Sequence, residues 1–419
     1  MENQLILSEY IDFLFYKKQV IVYNSWNGSW VKMPISLYDI LNKSMEYGFT
    51  KADTLQHMAD EEDRQIMIKL LDSLDKINAF KDSNSEAGKD LLDDVSIMVT
   101  ERCNLSCKHC SASAKSYQDY EFFSTSEMID IISKIKTANP KAIIITGGEP
   151  LVRNDITDII EHARKDYKGQ LILMTNGVLI DEHMAEFLSK TISSIDISLD
   201  GVDEKTTSVI RGKGVFNKVL NSIKLLQQKG ISKISLSMVA TPQNYVLEGK
   251  FEELCNELNV KPVFRKFDVL GRAKDNLETL MNVDDDIPTN RRKTTPHLAN
   301  EIIACTCQGG ARSFYIRANG NIFPCQMFDT DDFYLGNIAE IDDMVSFITS
   351  LKSSFQYRNF KKHHPSIAEA CKDCPVNVFC WSCPYYLYKA ENNHEAFLGH
   401  CIPQKKNLMQ LIWGENEKS

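Results

Sequence analysis

Apolar and polar positions fall into three regimes along the chain. Residues 11–33 alternate with the period of half-buried strands, most clearly in QVIVY and SWVKM on either side of Asn27-Gly28, which predicts a hairpin. Three helical stretches follow at about 36–47, 50–58 and 62–78, the last with Ile66, Leu70, Leu74 and Ile77 along one stripe. Strands followed by three helices predict a winged-helix-like module over residues 1–82. The polar run KDSNSEAGKD, 81–90, reads as a linker.

The second regime alternates strand and helix signals. SIMVT (96–100), AIIIT (142–146), LILMT (171–175), SIDISL (194–199), KISLSMVA (233–240) and PVFRKF (262–267) are short and rich in β-branched residues, as buried parallel strands are. Amphipathic helices lie between them. One opens on a Ser124-x-x-Glu127 capping box and carries Met128, Ile131, Ile132 and Ile135; another carries Phe216, Val219, Leu220, Ile223 and Leu226. Six β-α units over 90–270 predict an α/β fold, a partial (βα)6 TIM-like barrel. In such folds ligands gather where strands end, so the cysteine-rich loop after the first strand, TGGEP after the second, TNG after the third and DG after the fourth should share one mouth.

Residues 271–304 are a mixed, polar bridging segment. The third regime, 305–419, holds few periodic runs and eight clustered cysteines, so metal rather than a large apolar core should organise it.

Charge and composition narrow the setting. The net charge is -9, and the 48 Lys and Arg form no basic stripe, which disfavours nucleic-acid partners and an RNA-modifying role. No apolar run approaches the roughly 20 residues that span a bilayer, and the N-terminus lacks the basic leader and cleavage site of a secretory signal. A cytoplasmic protein with no membrane partner is expected. In that compartment twelve cysteines are ill suited to disulfides and better suited to metal. Eleven fall in three groups; Cys255, on a predicted helical face with Phe251, Leu254 and Leu258, reads as core packing.

Cys103, Cys107 and Cys110 lie in CNLSCKHC. Three thiolates fit either a catalytic zinc with one open position or a cubane iron–sulfur cluster with one iron left exposed. Without a neutral ligand they would make a poor electrophilic zinc, which favours the cluster.

The order C-x3-C-x2-C after a first strand and GGEP after a second resembles the radical S-adenosylmethionine superfamily. That resemblance implies a 4Fe-4S cluster on Cys103, Cys107 and Cys110, whose free iron takes the amino and carboxylate groups of S-adenosylmethionine. It also implies cleavage of that sulfonium to a 5'-deoxyadenosyl radical. Gly147 and Gly148 would let the backbone approach the cofactor, with Pro150 fixing the turn and Glu149 near the methionine amine. Asn176 and Ser198 are candidates for the ribose hydroxyls. Arg211, in IRGKGVF, resembles the arginine that pairs with the methionine carboxylate. The family usually places an aromatic residue where His109 stands, and packing near the cluster is the favoured role for this imidazole.

Cys371-x2-Cys374-x5-Cys380-x2-Cys383 alone reads as a zinc site. With Cys305, Cys307 and Gly320-x4-Cys325 upstream and Cys401 downstream, it resembles the SPASM extension, which implies two auxiliary 4Fe-4S clusters and three in all. One would take Cys325, Cys383 and Cys307, with Cys305 as a fourth candidate; the other would take Cys371, Cys374, Cys380 and Cys401.

A winged-helix-like module ahead of this architecture resembles the leader-recognition element of enzymes that mature ribosomal peptides, among them the sactipeptide and ranthipeptide types. The resemblance implies a precursor peptide whose leader adds as a strand to the sheet edge beside the third helix. It further implies a thioether, or next a carbon–carbon, crosslink as product, and a reductase with flavodoxin or ferredoxin as electron donor. Asp200, Tyr315 and Asp329 are undistinguished candidates for a base. Two other readings compete. An anaerobic sulfatase-maturating enzyme would carry aspartate where Gln326 follows Cys325, and a zinc-stabilised winged-helix regulator would have no use for GGEP.

Overall fold

A computed structural model describes residues 4–81, 92–114, 120–281 and 302–415. The chain divides into two compact units: Asp90–Asn290 with Gly309–Gln356, and Met1–Lys89 with Arg291–Gln308 and Tyr357–Ser419.

The first unit is built on β4 (Asp94–Met98), β5 (Ala142–Thr146), β6 (Gln170–Thr175), β7 (Ser194–Ser198), β8 (Ile234–Ala240) and β9 (Lys261–Lys266). They pair in parallel and in sequential order. Between them run α4 (Thr125–Thr137), α5 (Ile156–Arg164), α6 (Glu182–Thr191), α7 (Glu204–Arg211), α8 (Val215–Gln228) and α9 (Glu248–Glu257). The Ser124–Glu127 capping box forms as the sequence predicts. On each central strand alternate residues are sealed: Ile143, Ile145, Leu171, Leu173, Ile197 and Leu236 are all 0% exposed. Crossover helices cover this face, which is why six β-α units close into a partial barrel.

A C-terminal segment extends the same sheet. β10 (Ser313–Ile316) joins β4 in parallel, and β11 (Asn321–Phe323) and β12 (Gly336–Asn337) follow antiparallel. Gly320, at φ +86, makes the predicted turn between β10 and β11. Residues grouped by sequence with the terminal cysteines are thus built into the barrel sheet.

The second unit opens with an antiparallel sheet, β1 (Ile11–Tyr16), β2 (Gln19–Asn24) and β3 (Trp30–Pro34), in the order β1-β2-β3, followed by α1 (Ile35–Glu46), α2 (Lys51–Gln56) and α3 (Glu61–Lys76). One sheet face packs on these helices through Val20, Val22, Met33, Leu41, Met67 and Leu74. The stripe expected on α3 is buried at Leu70, Leu74 and Ile77, and only at its start does Met67, 0% exposed, take the place of Ile66, 43% exposed.

The other sheet face is buried too. Ile21, Tyr23 and Trp30 share a core with Val376, Phe379, Leu408, Ile412 and Trp413. Trp30 meets Phe379 edge-on at 5.5 Å, and Lys32 Nζ donates to Ile412 O at 2.6 Å. The terminal region therefore has an apolar core as well as its cysteines, and a sheet distant in sequence supplies part of it. The linker expected at 81–90 and most of the bridging segment lie outside the described residues. Among the described residues no helix is long and apolar enough to cross a membrane.

Candidate functional site

The cysteine loop leaves β4 at its C-terminal end, and the neighbouring strand mouths hold it. Val99 N donates to Thr146 O at 2.9 Å, then Gly148 N to Thr100 O and Glu149 N to Arg102 O, both at 2.8 Å. The GGEP loop thereby continues the ladder between β4 and β5 past the end of the strands. This contact explains the glycines. A Cβ on Gly148 would lie 2.3 Å from Arg102 O and one on Gly147 2.8 Å from Thr100 O, so both are small to admit the cysteine loop's backbone.

Glu149 is 1% exposed and its carboxylate is shared between loops. Oε1 accepts from Thr175 Oγ1 at 2.6 Å and from Leu151 N at 3.1 Å, while Oε2 accepts from Asn176 N at 2.6 Å. Burial raises its pKa above the ordinary value, and those donors offset part of the rise. Pro150 starts the single turn that follows. Asn176, after β6, gives its Nδ2 to Asn104 Oδ1 at 2.7 Å and lies 3.9 Å from Cys103 Sγ. Ser198 ends β7, in register with Ser237.

Asp200 is the joint on the far side. Fully buried, it stands 2.5 Å from both His109 Nε2 and Arg211 Nε, and its Oδ1 accepts from Val239 N at 2.8 Å. The Arg211 approach lacks hydrogen-bond alignment and is an ion pair. Burial alone would raise the Asp200 pKa, but Arg211 and His109 overcome it and hold the carboxyl well below its ordinary range. Arg211 Nη1 also lies 3.9 Å from Cys107 Sγ. His109 is thereby held by a carboxylate, in keeping with a packing role.

Sequence reasoning missed two supports. Arg272 donates N to Cys110 O and Nε to Cys107 O, each at 2.9 Å, and Gly271, at φ +53, would put a Cβ 2.2 Å from Ser111 O. Only their position just after the sixth strand could have pointed to them. The base candidates divide. Asp200 is committed to its ion pair, Tyr315 sits in an apolar cluster with Met98 and Phe323, and Asp329 pairs with Arg317.

The Cys103 and Cys107 thiols are both raised in pKa, by burial first. Cys103 is pushed up to about 11 by burial first, with Glu149, Cys107 and Cys110 adding to the rise. The terminal cysteines form two similar sets. Cys305 is pushed up to about 12 by burial, a rise that the Cys307 backbone N–H partly offsets and the Cys307 and Cys383 sulfurs add to; Cys380 is pushed up to about 12 by burial and then by Cys401, Cys374 and Cys371. Cys325 follows β11 in the barrel unit, whereas the other seven belong to the second unit. Among the described residues no three His, Cys, Asp or Glu side chains are grouped to hold a single metal ion. Cys255, 0% exposed on α9 beside Phe251, is core.

The Radical SAM superfamily profile matches residues 97–254, and that of SPASM, an iron–sulfur cluster-binding domain, matches residues 305–375. This chain is a radical SAM protein with a SPASM domain. The radical SAM protein is 27% identical over 344 residues to the antilisterial bacteriocin subtilosin biosynthesis protein AlbA of Bacillus subtilis, covering 76% of this chain and 70% of that one. It is 27% identical over 295 residues to the mycofactocin maturase MftC of Mycobacterium tuberculosis, covering 66% and 74%. Against Fe-coproporphyrin III synthase of Methanosarcina barkeri it is 37% identical over 149 residues, 35% of this chain and 36% of that one, so it spans about a third of that relative. The fold matches that of Streptococcus suis SuiB bound to S-adenosylmethionine, with a TM-score of 0.55 at 18% identity, covering 92% of this chain and 97% of that one.

The radical SAM protein's residues suit such cofactors. Burial makes the thiols of Cys103, Cys107, Cys305, Cys371 and Cys380 costly to ionise, and a cationic iron cluster would offset that cost. The buried Glu149 carboxylate, which accepts from the neutral donors of Leu151, Thr175 and Asn176, is likewise suited to an ammonium group.

Proposed function

We propose that the protein matures a ribosomally made precursor peptide in the cytoplasm by radical chemistry. The reading is supported by the radical SAM and SPASM matches together with the order of the cysteines: a triplet on the loop after β4 and eight more in the C-terminal region, of which Cys374 and Cys380 border the core shared with the N-terminal sheet. Mycofactocin maturase and a bacteriocin biosynthesis protein among its relatives point to peptides as substrates.

Cys103, Cys107 and Cys110 would hold a 4Fe-4S cluster at the triplet, and Gly147, Gly148, Glu149, Pro150, Asn176, Ser198 and Arg211 surround the place for S-adenosylmethionine. When bound, this pair would supply a 5'-deoxyadenosyl radical able to take a hydrogen atom from the peptide. The chain's own residues prepare the place. Glu149 offers a buried negative charge to the methionine amine, and Arg211 keeps its guanidinium beside Cys107, from where its remaining donors can take the carboxylate. The GGEP and Asp200 contacts fix the loop before anything binds.

Crosslinking removes two electrons from the peptide. Cys305, Cys307, Cys325 and Cys383, and separately Cys371, Cys374, Cys380 and Cys401, would hold two auxiliary clusters suited to accept the second. A thioether from a peptide cysteine is the expected product and a carbon–carbon bond the next choice. The leader would pair with an edge of the β1–β3 sheet, and a flavodoxin or ferredoxin would supply electrons.

Anaerobic reconstitution followed by iron, sulfide and zinc analysis should give about twelve irons per chain. Addition of dithionite and S-adenosylmethionine should release 5'-deoxyadenosine, and co-expression with a precursor encoded nearby should lower that peptide's mass by two hydrogens per link. Colourless zinc protein that never releases 5'-deoxyadenosine refutes the reading.

A further inference from the structure

One short stretch of chain joins a hairpin turn of the N-terminal sheet to the terminal cysteines. Trp30 Nε1 donates to Ile302 O at 2.7 Å, Ala304 N donates to Gly28 O at 2.8 Å, and Cys305 N donates to Val378 O at 2.8 Å. Residues 302–305 are therefore strung between the β2–β3 turn on one side and Val378 on the other. The fit on the sheet side has no slack. Gly28 lies at φ +74, and a Cβ there would stand 2.9 Å from both Ala304 O and Ile303 Cβ. The opposite side is fixed from the same sheet, because the Trp30 ring braces Phe379, the neighbour of Val378. Ala304 and Cys305 end up 1% and 3% exposed, and Cys305 Sγ lies 3.9 Å from the carbonyl of Ser382, next to Cys383.

We propose that the β2–β3 hairpin is a positioning element of an auxiliary site, with Trp30 and Gly28 holding the segment that presents Cys305 to Cys307 and Cys383. The proposal rests on the reading of these cysteines as iron–sulfur ligands and assigns Cys305 to that set in place of a bystander role. Neither Trp30 nor Gly28 is a ligand. They act by ordering the backbone before metal arrives, so that the site is preformed in place of being assembled from a loose loop. The module expected to recognise peptide thereby has a second task in the same molecule.

The test uses the full chain carrying Trp30→Phe, which keeps a ring against Phe379 and deletes the indole N–H, Trp30→Ala and Gly28→Ala. In metal-free protein, alkylation of Cys305 read by peptide mass analysis should rise about fivefold in Trp30→Phe and tenfold or more in Trp30→Ala and Gly28→Ala, as loss of the anchor raises the population of opened segment. Cys371 and Cys255 should keep their wild-type rates. After reconstitution, Trp30→Ala should lose about one cluster's share of iron. Should Trp30→Ala expose Cys371 as well, the unit has opened as a whole and the Trp30→Phe rates decide. Unchanged Cys305 alkylation in both Trp30→Phe and Gly28→Ala, with wild-type iron in both, overturns the positioning role alone. Wild-type protein that binds no iron at Cys305, Cys307 and Cys383 overturns the ligand reading, and the proposal with it.

Discussion

Asp200→Asn tests whether one carboxylate carries the cysteine loop. The substitution keeps the shape and leaves an oxygen for Val239 N, but removes the charge that Arg211 faces at 2.5 Å while only 8% exposed. Breaking a buried pair from one side costs about 3–5 kcal/mol, since the remaining charge has no compensation. Loss of the charge-assisted contact to His109 adds about 1.5 kcal/mol. For a compact unit of roughly 250 residues, each kcal/mol lowers the unfolding midpoint by about 2–4 °C, so a fall of about 9–26 °C is expected. The control is Asp196→Asn, whose partner Arg265 is 42% exposed and whose ion pair is worth about 0–1 kcal/mol. Thermal unfolding of metal-free protein, followed by circular dichroism without oxygen, reads both. A midpoint for Asp200→Asn within about 3 °C of the Asp196→Asn value would refute the reasoning.

Three further outcomes are expected. Gly148→Ala must push the loops apart to relieve a 2.3 Å contact, losing the two 2.8 Å bonds beside it; about 3–5 kcal/mol of stability and most iron at Cys103, Cys107 and Cys110 should go, as chemical denaturation and iron analysis would show. Cys255→Ala should keep wild-type iron content and cost about 1 kcal/mol, because its thiol fills core space on α9. Asp155 is held down from 3.8 to about 2 chiefly by its hydrogen bond to Arg153. Its folded pKa is depressed, so its contribution is present above 3.8 and is lost as pH falls toward 2; the fall in denaturation midpoint of metal-free protein across that range should be shallower in Asp155→Asn.

Much of this molecule was legible in its sequence, and the exceptions share a cause. Strand runs such as AIIIT announce themselves because a buried parallel strand needs unbroken β-branched residues, and the spacing of Cys103, Cys107 and Cys110 before GGEP marks the mouth because it is local. What stayed hidden depends on contacts between distant segments. Asp200 looks like any acid before a glycine until β8 and α7 bring Val239 and Arg211 to it. Arg272 has no motif around it and matters only because its loop ends beside Cys110. Gly147 and Gly148 stand out in GGEP, but nothing in the motif says that a Cβ on either would meet the backbone of Thr100 and Arg102. On α3 the apolar spacing allows two neighbouring stripes, and only the position of the sheet selects Met67 over Ile66. The terminal region looks short of apolar residues because part of its core, Ile21, Tyr23 and Trp30 among it, is encoded some 270 residues or more earlier.

That borrowed part of the core limits how the protein can be re-engineered. The N-terminal eighty or so residues are not an interchangeable cartridge, since a graft from another enzyme would arrive with an underside never shaped for Val376, Phe379 and Trp413. Chimaeras joined near residue 81 should misfold at their C-terminal end, far from the splice. Retargeting is better attempted by repainting the rim of the sheet and leaving its underside intact.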